Sequence, residues 1–149
     1  MEREFIMVKP DGVQRTHIGD IITRIERAGL KIVAMKILQV TKEQAEKHYA
    51  VHKDKTFYEW LIKYITSGPA VAMVVEGRDA VQHTRRLVGA TDPHNALPGS
   101  IRGDYGLDIE RNLVHAADSV ENAKMEYSIY FDEEELISYT RIDEAQLYA

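Results

Sequence analysis

Lys9, Arg85, Thr91, Arg102, Asn112 and His115 are the residues whose types and positions could together do chemistry. Singly, each is bland: a lone histidine on a strand is usually a satisfied structural residue, and lysines and arginines are usually solvated. Four of the six lie in or beside one stretch, "GATDPHNALPGSIRGDYGLDIER" from Gly89 to Arg111. A histidine beside two guanidiniums and a lysine is a poor metal ligand and a well-placed phosphoryl acceptor. The cations would stabilise charge on the equatorial oxygens of a phosphoryl group in transfer.

Competing motifs fail on context. "VAMK" (Val33 to Lys36) has the shape of a protein-kinase strand lysine, but no Gly-rich loop precedes it and no H-R-D or D-F-G follows. His48 and His52 have the i, i+4 spacing of helical zinc ligands, without a glutamate after His48 or an evident third ligand, and the helix is expected to end between them. "RGD" at Arg102 to Asp104 is a chance tripeptide. There is no G-x-x-x-x-G-K-[ST], hence no phosphate-cradling P-loop.

The elements that must position these residues follow from periodicity. "FIMVK" (Phe5 to Lys9) reads as a buried strand ending at Pro10. Ile18, Ile21, Ile22, Ile25 and Ala28 form one helix face, stopped by Gly29. "KIVAMKILQV" is a β-branched strand, and Thr41 with Gln44 matches a capping box opening a helix through about Tyr49. "TFYEWLIKYIT" repeats apolar residues at Phe57, Trp60, Leu61, Tyr64 and Ile65, Gly68-Pro69 breaks it, and "AVAMVVE" is a continuous apolar strand. Asp79 and Gln82 match a second capping box, for a helix stopping at Gly89. "NLVHA" is a last strand carrying both Asn112 and His115. Asp118 or Ser119 caps a final helix whose Val120, Ala123, Tyr127 and Tyr130 share a face. The order suits an α+β sandwich: a ferredoxin-like βαββαβ four-stranded antiparallel sheet with an inserted helical pair. The stretch before the last strand exceeds the roughly 12–15 residues tolerated for an idle loop, so an ordered functional loop is expected.

Bulk properties narrow the class. The 149 residues fit one domain, residues 1–149, and 44% hydrophobic with 29% charged content is ordinary for a globular protein. There is no cysteine, so disulfides and thiolate chemistry are excluded. No signal peptide or membrane-length apolar run is read, and a cytoplasmic location is expected. The net charge of −5 argues against nucleic-acid binding, so positive charge for a polyanionic ligand must be gathered locally.

Five blocks together, "VKPDGVQR" (Val8 to Arg15), "SGP" (Ser67 to Pro69), "GATDP" (Gly89 to Pro93), "PGSIRGDYG" (Pro98 to Gly106) and "RNLVHAADS" (Arg111 to Ser119), resemble nucleoside diphosphate kinase over nearly the whole chain, in order. The resemblance implies the ferredoxin-like sandwich and a ping-pong transfer of the γ-phosphoryl group from a nucleoside triphosphate, through a histidine, to a nucleoside diphosphate. ATP, GTP, GDP and their deoxy forms would be partners. The nucleophile falls on His115, attacking through its δ nitrogen, and its orienting carboxylate on Glu126. Phosphate ligands fall on Lys9, Tyr49, Arg85, Thr91 and Arg102, and the ribose 3′-hydroxyl on Lys9 and Asn112. The nucleobase clamp falls on Phe57 and Leu61, for which core packing is the ordinary reading. Mg2+ would arrive on the nucleotide phosphates, with no protein metal site. Pro93 matches the subunit-contact proline, and "LISYTRIDEAQLYA" resembles the longer members, so a hexamer is favoured over a tetramer.

One position departs. The family motif reads His-Gly/Ala-Ser-Asp, and Ala117 replaces that serine, whose hydroxyl bonds the carboxylate matched by Glu126. A hydrogen bond to a charged group contributes about 1.5–3 kcal/mol and water can replace part of it, so a weakening on the order of tenfold or less is expected. The competing reading is a weakly active relative serving as a nucleotide-binding scaffold or regulator.

Overall fold

The computed structural model describes Met1–Ala149. Strand β1 (Glu2–Val8) lies inside the sheet, between β3 (Pro69–Gly77) and the short β4 (Val114–Ala116), and β2 (Lys31–Gln39) pairs with the far side of β3. The order is β2-β3-β1-β4 and every pair is antiparallel. Side chains alternate across a strand, so Phe5 and Met7 enter one core and Ile6 and Val8 the other. That is why Phe5 to Val8 of β1 and Ala70 to Val75 of β3 read as unbroken apolar runs: both faces are covered. Helices α2 (Ile18–Arg27) and α5 (Ala80–Val88) cover the Ile6 face, while α3 (Lys42–His48), α4 (Tyr58–Ile65) and α7 (Val120–Tyr130) cover the Phe5 face. This is the expected ferredoxin-like sandwich, with α3 and α4 as the inserted pair.

Local chemistry sets most boundaries as expected. Ile21 and Ile25 are buried on α2, and Gly29 ends it at φ 97°. Thr41 and Gln44 form both bonds of the capping box on α3. Ser119 caps α7, its Oγ accepting from the Asn122 N–H at 3.1 Å.

Three expectations need correction. Asp79 caps nothing: it sits at φ 49° with its side chain free of the helix, and the Val81 N–H donates instead to the Glu2 carboxylate at 3.3 Å. On α7, Val120 is 43% exposed, and the buried face is Ala123, Glu126, Tyr127 and Tyr130. The last strand begins only at Val114, so Asn112 stands before it. Leu113, at φ 74°, is the centre of a three-residue turn closed by the Val114 N–H donating to Asn112 O at 2.8 Å. Tertiary partners impose the turn: the Leu113 N–H donates to Asp11 at 3.0 Å and its carbonyl accepts from the Lys9 N–H at 2.9 Å.

The long stretch before β4 is ordered. It holds a 3₁₀ turn at Pro93–Asn95 and a short helix, α6 (Ile101–Tyr105), opened by Ser100 Oγ accepting from the Gly103 N–H at 3.1 Å. Arg24 of α2 pins it through the Gly99 carbonyl at 2.9 Å and Asp104 at 2.8 Å. The "RGD" tripeptide lies in α6 with Arg102 buried.

Candidate active site

Strand ends and helix ends converge on one cleft. Lys9 follows β1, His115 is the middle residue of β4, Arg85 lies on α5, Arg102 on α6 and Glu126 on α7; His48 and Tyr49 end α3, and Thr91 and Asn112 complete the lining. His115 pairs opposite Met7, so its ring enters the face shared by Phe5, Met7, α3 and α7.

The histidine is oriented by α7. Its Nε2–H donates to Glu126 Oε1 at 2.6 Å, because an ionised carboxylate can only accept. The proton therefore sits on Nε2, and Nδ1 keeps its lone pair. Burial pulls the His115 pKa down to about 4, against the upward pull of Glu126, so the ring is neutral near pH 7. Burial pushes the Glu126 carboxyl up, but N–H bonds from His115 and His48 outweigh it and hold the group at about 2.

Cations line the same cleft. Lys9 Nζ donates to Asn112 Oδ1 at 2.8 Å, and Asn112 Nδ2 in turn to Thr91 O at 3.0 Å. Burial, then the neighbouring Arg102, lowers the Lys9 pKa to about 8. Arg102 is braced by the carbonyls of Asn112 at 3.2 Å, Gly89 at 3.0 Å and Val114 at 2.5 Å. A guanidinium has five N–H donors, so two remain for a ligand. Burial and Arg85 bring the Arg102 pKa down to about 10, still charged at neutral pH. Arg85 is exposed apart from one bond, Nη1 to Ala116 O at 3.2 Å. Burial, then the Glu126 charge, pushes the Tyr49 hydroxyl up, so it remains a donor. A neutral imidazole nitrogen in a cleft lined by guanidiniums, an ammonium and hydroxyls can attack a phosphorus whose charge those groups stabilise.

Eight of the ten expected site residues line this cleft; Phe57 and Leu61 do not. Phe57 is 44% exposed, with its ring 5.6 Å from that of His52, a lining residue. Leu61 packs against the core on the Phe5 face.

His48 was not expected here. Read from the sequence as a discarded zinc ligand, it is buried with Nε2 3.0 Å from Glu126 Oε1 and Nδ1 2.7 Å from the Tyr130 hydroxyl. A clue was available: Ala45 and His48 are three apart on the inner face of α3, next to Tyr49. His48, His115 and Glu126 bring three donor atoms within 4.8 Å of one another. One carboxylate oxygen receiving two imidazole N–H groups accounts for that cluster, and Lys9, Arg85 and Arg102 oppose a free metal cation there.

The sequence profile described as nucleoside diphosphate kinase matches residues 2–136. The chain belongs to the nucleoside diphosphate kinase family. Over 148 residues it is 56% identical to the nucleoside diphosphate kinase of Archaeoglobus fulgidus, covering 99% of this chain and 98% of that one. The Staphylococcus carnosus enzyme of that name is 55% identical over 148 residues, covering 99% of both. The solved halophilic nucleoside diphosphate kinase from Halobacterium salinarum, in complex with CDP, superposes with a TM-score of 0.96 at 49% identity, covering 99% of both chains. Nucleoside diphosphate kinases are phosphotransferases, and this member moves a phosphoryl group between nucleotides. The resemblance expected from the five blocks holds over nearly the whole chain.

Proposed function

We propose that the phosphoryl group is carried on His115 Nδ1 and that the two half-reactions share one cleft. The supporting observation is the 2.6 Å bond from His115 Nε2 to Glu126, which leaves Nδ1 unprotonated among Lys9, Arg85 and Arg102. The Nδ1 lone pair attacks the γ-phosphorus, the bond to the β–γ bridging oxygen breaks, and the nucleoside diphosphate leaves with that electron pair. A second nucleoside diphosphate then attacks the phosphohistidine and restores the free imidazole.

Tyr49, Arg85, Thr91 and Arg102 hold phosphates in this reading, and the bonded pair Lys9 and Asn112 presents polar atoms to the ribose 3′-hydroxyl. Phe57 and Leu61 hold the base by apolar contact, which suits tolerance for ATP, GTP and their deoxy forms. The lining fits Mg2+ arriving on the nucleotide. Of its two carboxylates, Glu126 accepts from two imidazoles and Asp118 accepts from the Asn122 side-chain amide. When bound, the metal would neutralise phosphate charge. No helix is long and apolar enough to cross a membrane, and a nucleotide substrate suits the cytoplasm.

Labelling decides the matter. Incubation with γ-labelled ATP should leave an acid-labile, base-stable phosphoprotein that GDP discharges, and His115→Ala should abolish the label. Absence of label, or label that GDP cannot discharge, would exclude the mechanism.

A further inference from the structure

Ala117 removes the hydroxyl that the family resemblance sets against Glu126, yet Glu126 does not rely on His115 alone. We propose that the Tyr130 hydroxyl is a positioning group for phosphoryl transfer: it holds His48 in the tautomer whose Nε2–H donates to Glu126, and so replaces the donor missing at position 117. The inference rests on the reading of His115 as phosphoryl carrier.

Three contacts run in sequence: Tyr130 hydroxyl to His48 Nδ1 at 2.7 Å, His48 Nε2 to Glu126 Oε1 at 3.0 Å, and His115 Nε2 to the same Oε1 at 2.6 Å. A neutral imidazole has one N–H. With that proton on Nδ1, the His48 Nε2 lone pair would face an anionic oxygen at 3.0 Å, acceptor against acceptor. With the proton on Nε2, Glu126 gains a donor, and Nδ1 needs a donor of its own. Tyr130 supplies it, since burial and the charges around it push its hydroxyl pKa up and keep the phenol protonated. For a neutral His48, one arrangement therefore satisfies all three contacts. The two Nε2 atoms lie 3.3 Å apart, but both N–H groups point at Oε1, and an interplanar angle of 76° lets both ring edges reach it.

The elements make the chain rigid. Tyr130 lies one helical turn beyond Glu126 on α7, so both project from one face. Its ring stacks on Phe5 at 5.3 Å and 4°. Tyr130, His48 and Glu126 are each at most 7% exposed, which shields these bonds from competing water.

Tyr130→Phe removes only the hydroxyl. Single-turnover phosphorylation and kcat should fall about fivefold, with nucleotide KM changed less than about twofold. The ¹⁵N shifts of His48 should move from an Nε2–H pattern towards a mixture of tautomers, a signature that packing alone would not give. Ala117→Ser should rescue Tyr130→Phe by a larger factor than it raises the native enzyme. His48→Gln keeps a donor near the Nε2 position without a tautomer, so in that background Tyr130→Phe should be silent; this pair remains informative if the single Phe variant melts early. Native rates in Tyr130→Phe, or an equal Ala117→Ser factor in both backgrounds, overturns the inference. Failure of the native protein to label would instead remove the phosphohistidine reading beneath it.

Discussion

Glu126 serves two imidazoles with Oε1, while its Oε2 is buried and has no partner. Ala117 is buried in the same cluster as Tyr127 and Tyr130 of α7. If the hydroxyl at position 117 met Glu126 as the family resemblance implies, it would add a donor to a carboxylate already anchored. Ala117→Ser should raise native turnover by less than about tenfold in a coupled nucleotide assay, and a gain of thousands would mean that the native site is not competent. Glu4 is a second unusual carboxyl. It is fully buried in the central strand, its Oε1 accepts from the Phe5 N–H at 2.7 Å, and its Oε2 has no partner. Burial raises its pKa from 4.5 to about 9, with the Phe5 N–H pulling down and Glu126 pushing up. A raised folded pKa means stability fully present below the unfolded value and lost as pH climbs towards the folded one. The native melting temperature should thus decline between pH 4.5 and about 9. Glu4→Gln keeps the shape and the acceptor; it should flatten that decline and raise the midpoint near pH 8 by roughly 5 °C. A native midpoint independent of pH across this window would refute the assignment.

At the scale of elements, the turn at Leu113 couples three parts of the site. It hands Asn112 to Lys9, starts β4 in register for His115, and rests its carbonyl on α1 (Pro10–Gln14). A Cβ on Gly12 would stand 2.6 Å from Leu113 O and 2.8 Å from Val8 Cγ1. The carbonyl cannot swing away without losing the Lys9 N–H. Gly12→Ala should therefore destabilise by about 1–3 kcal/mol in denaturant unfolding and raise nucleotide KM as Asn112 shifts. Gly19→Ala is the control: on α2, with nothing within 4 Å, it should be stabilising by up to about 1 kcal/mol. Equal effects of the two would mean that the close approach has no consequence.

At the scale of the whole molecule, large apolar side chains remain uncovered. Leu97 and Leu107, in the stretch before β4, are 76% and 79% exposed, and Met35 and Ile37 stand out from the edge strand β2. Two such surfaces on one chain suit the hexamer that the family resemblance favours, which needs more than one kind of subunit contact. Sedimentation should give about six times the 17.0 kDa chain mass, and Leu97→Asp with Leu107→Asp should release smaller species. A native species of four chains would favour the tetramer, and a monomer would remove the assembly altogether.

Much was legible in the residues themselves. Period-two and period-3.6 patterns determine the strands, the helices and the α+β sandwich, because burial of one face is a local property repeated along each element. Lys9, Arg85, Arg102, Asn112 and His115 are dispersed in sequence and suit phosphate chemistry only as a set; the five blocks that resemble the family carry the reading to phosphoryl transfer. Tertiary structure alone decided the rest. The left-handed turn at Leu113 exists because Asp11 and Lys9, about a hundred positions away, hold its two polar groups. In the sequence His48 has only the spacing of a zinc ligand; packing of α3 against α7 brings it to Glu126 and Tyr130. Such contacts arise between elements, and no spacing within one element encodes which imidazole will face which carboxylate.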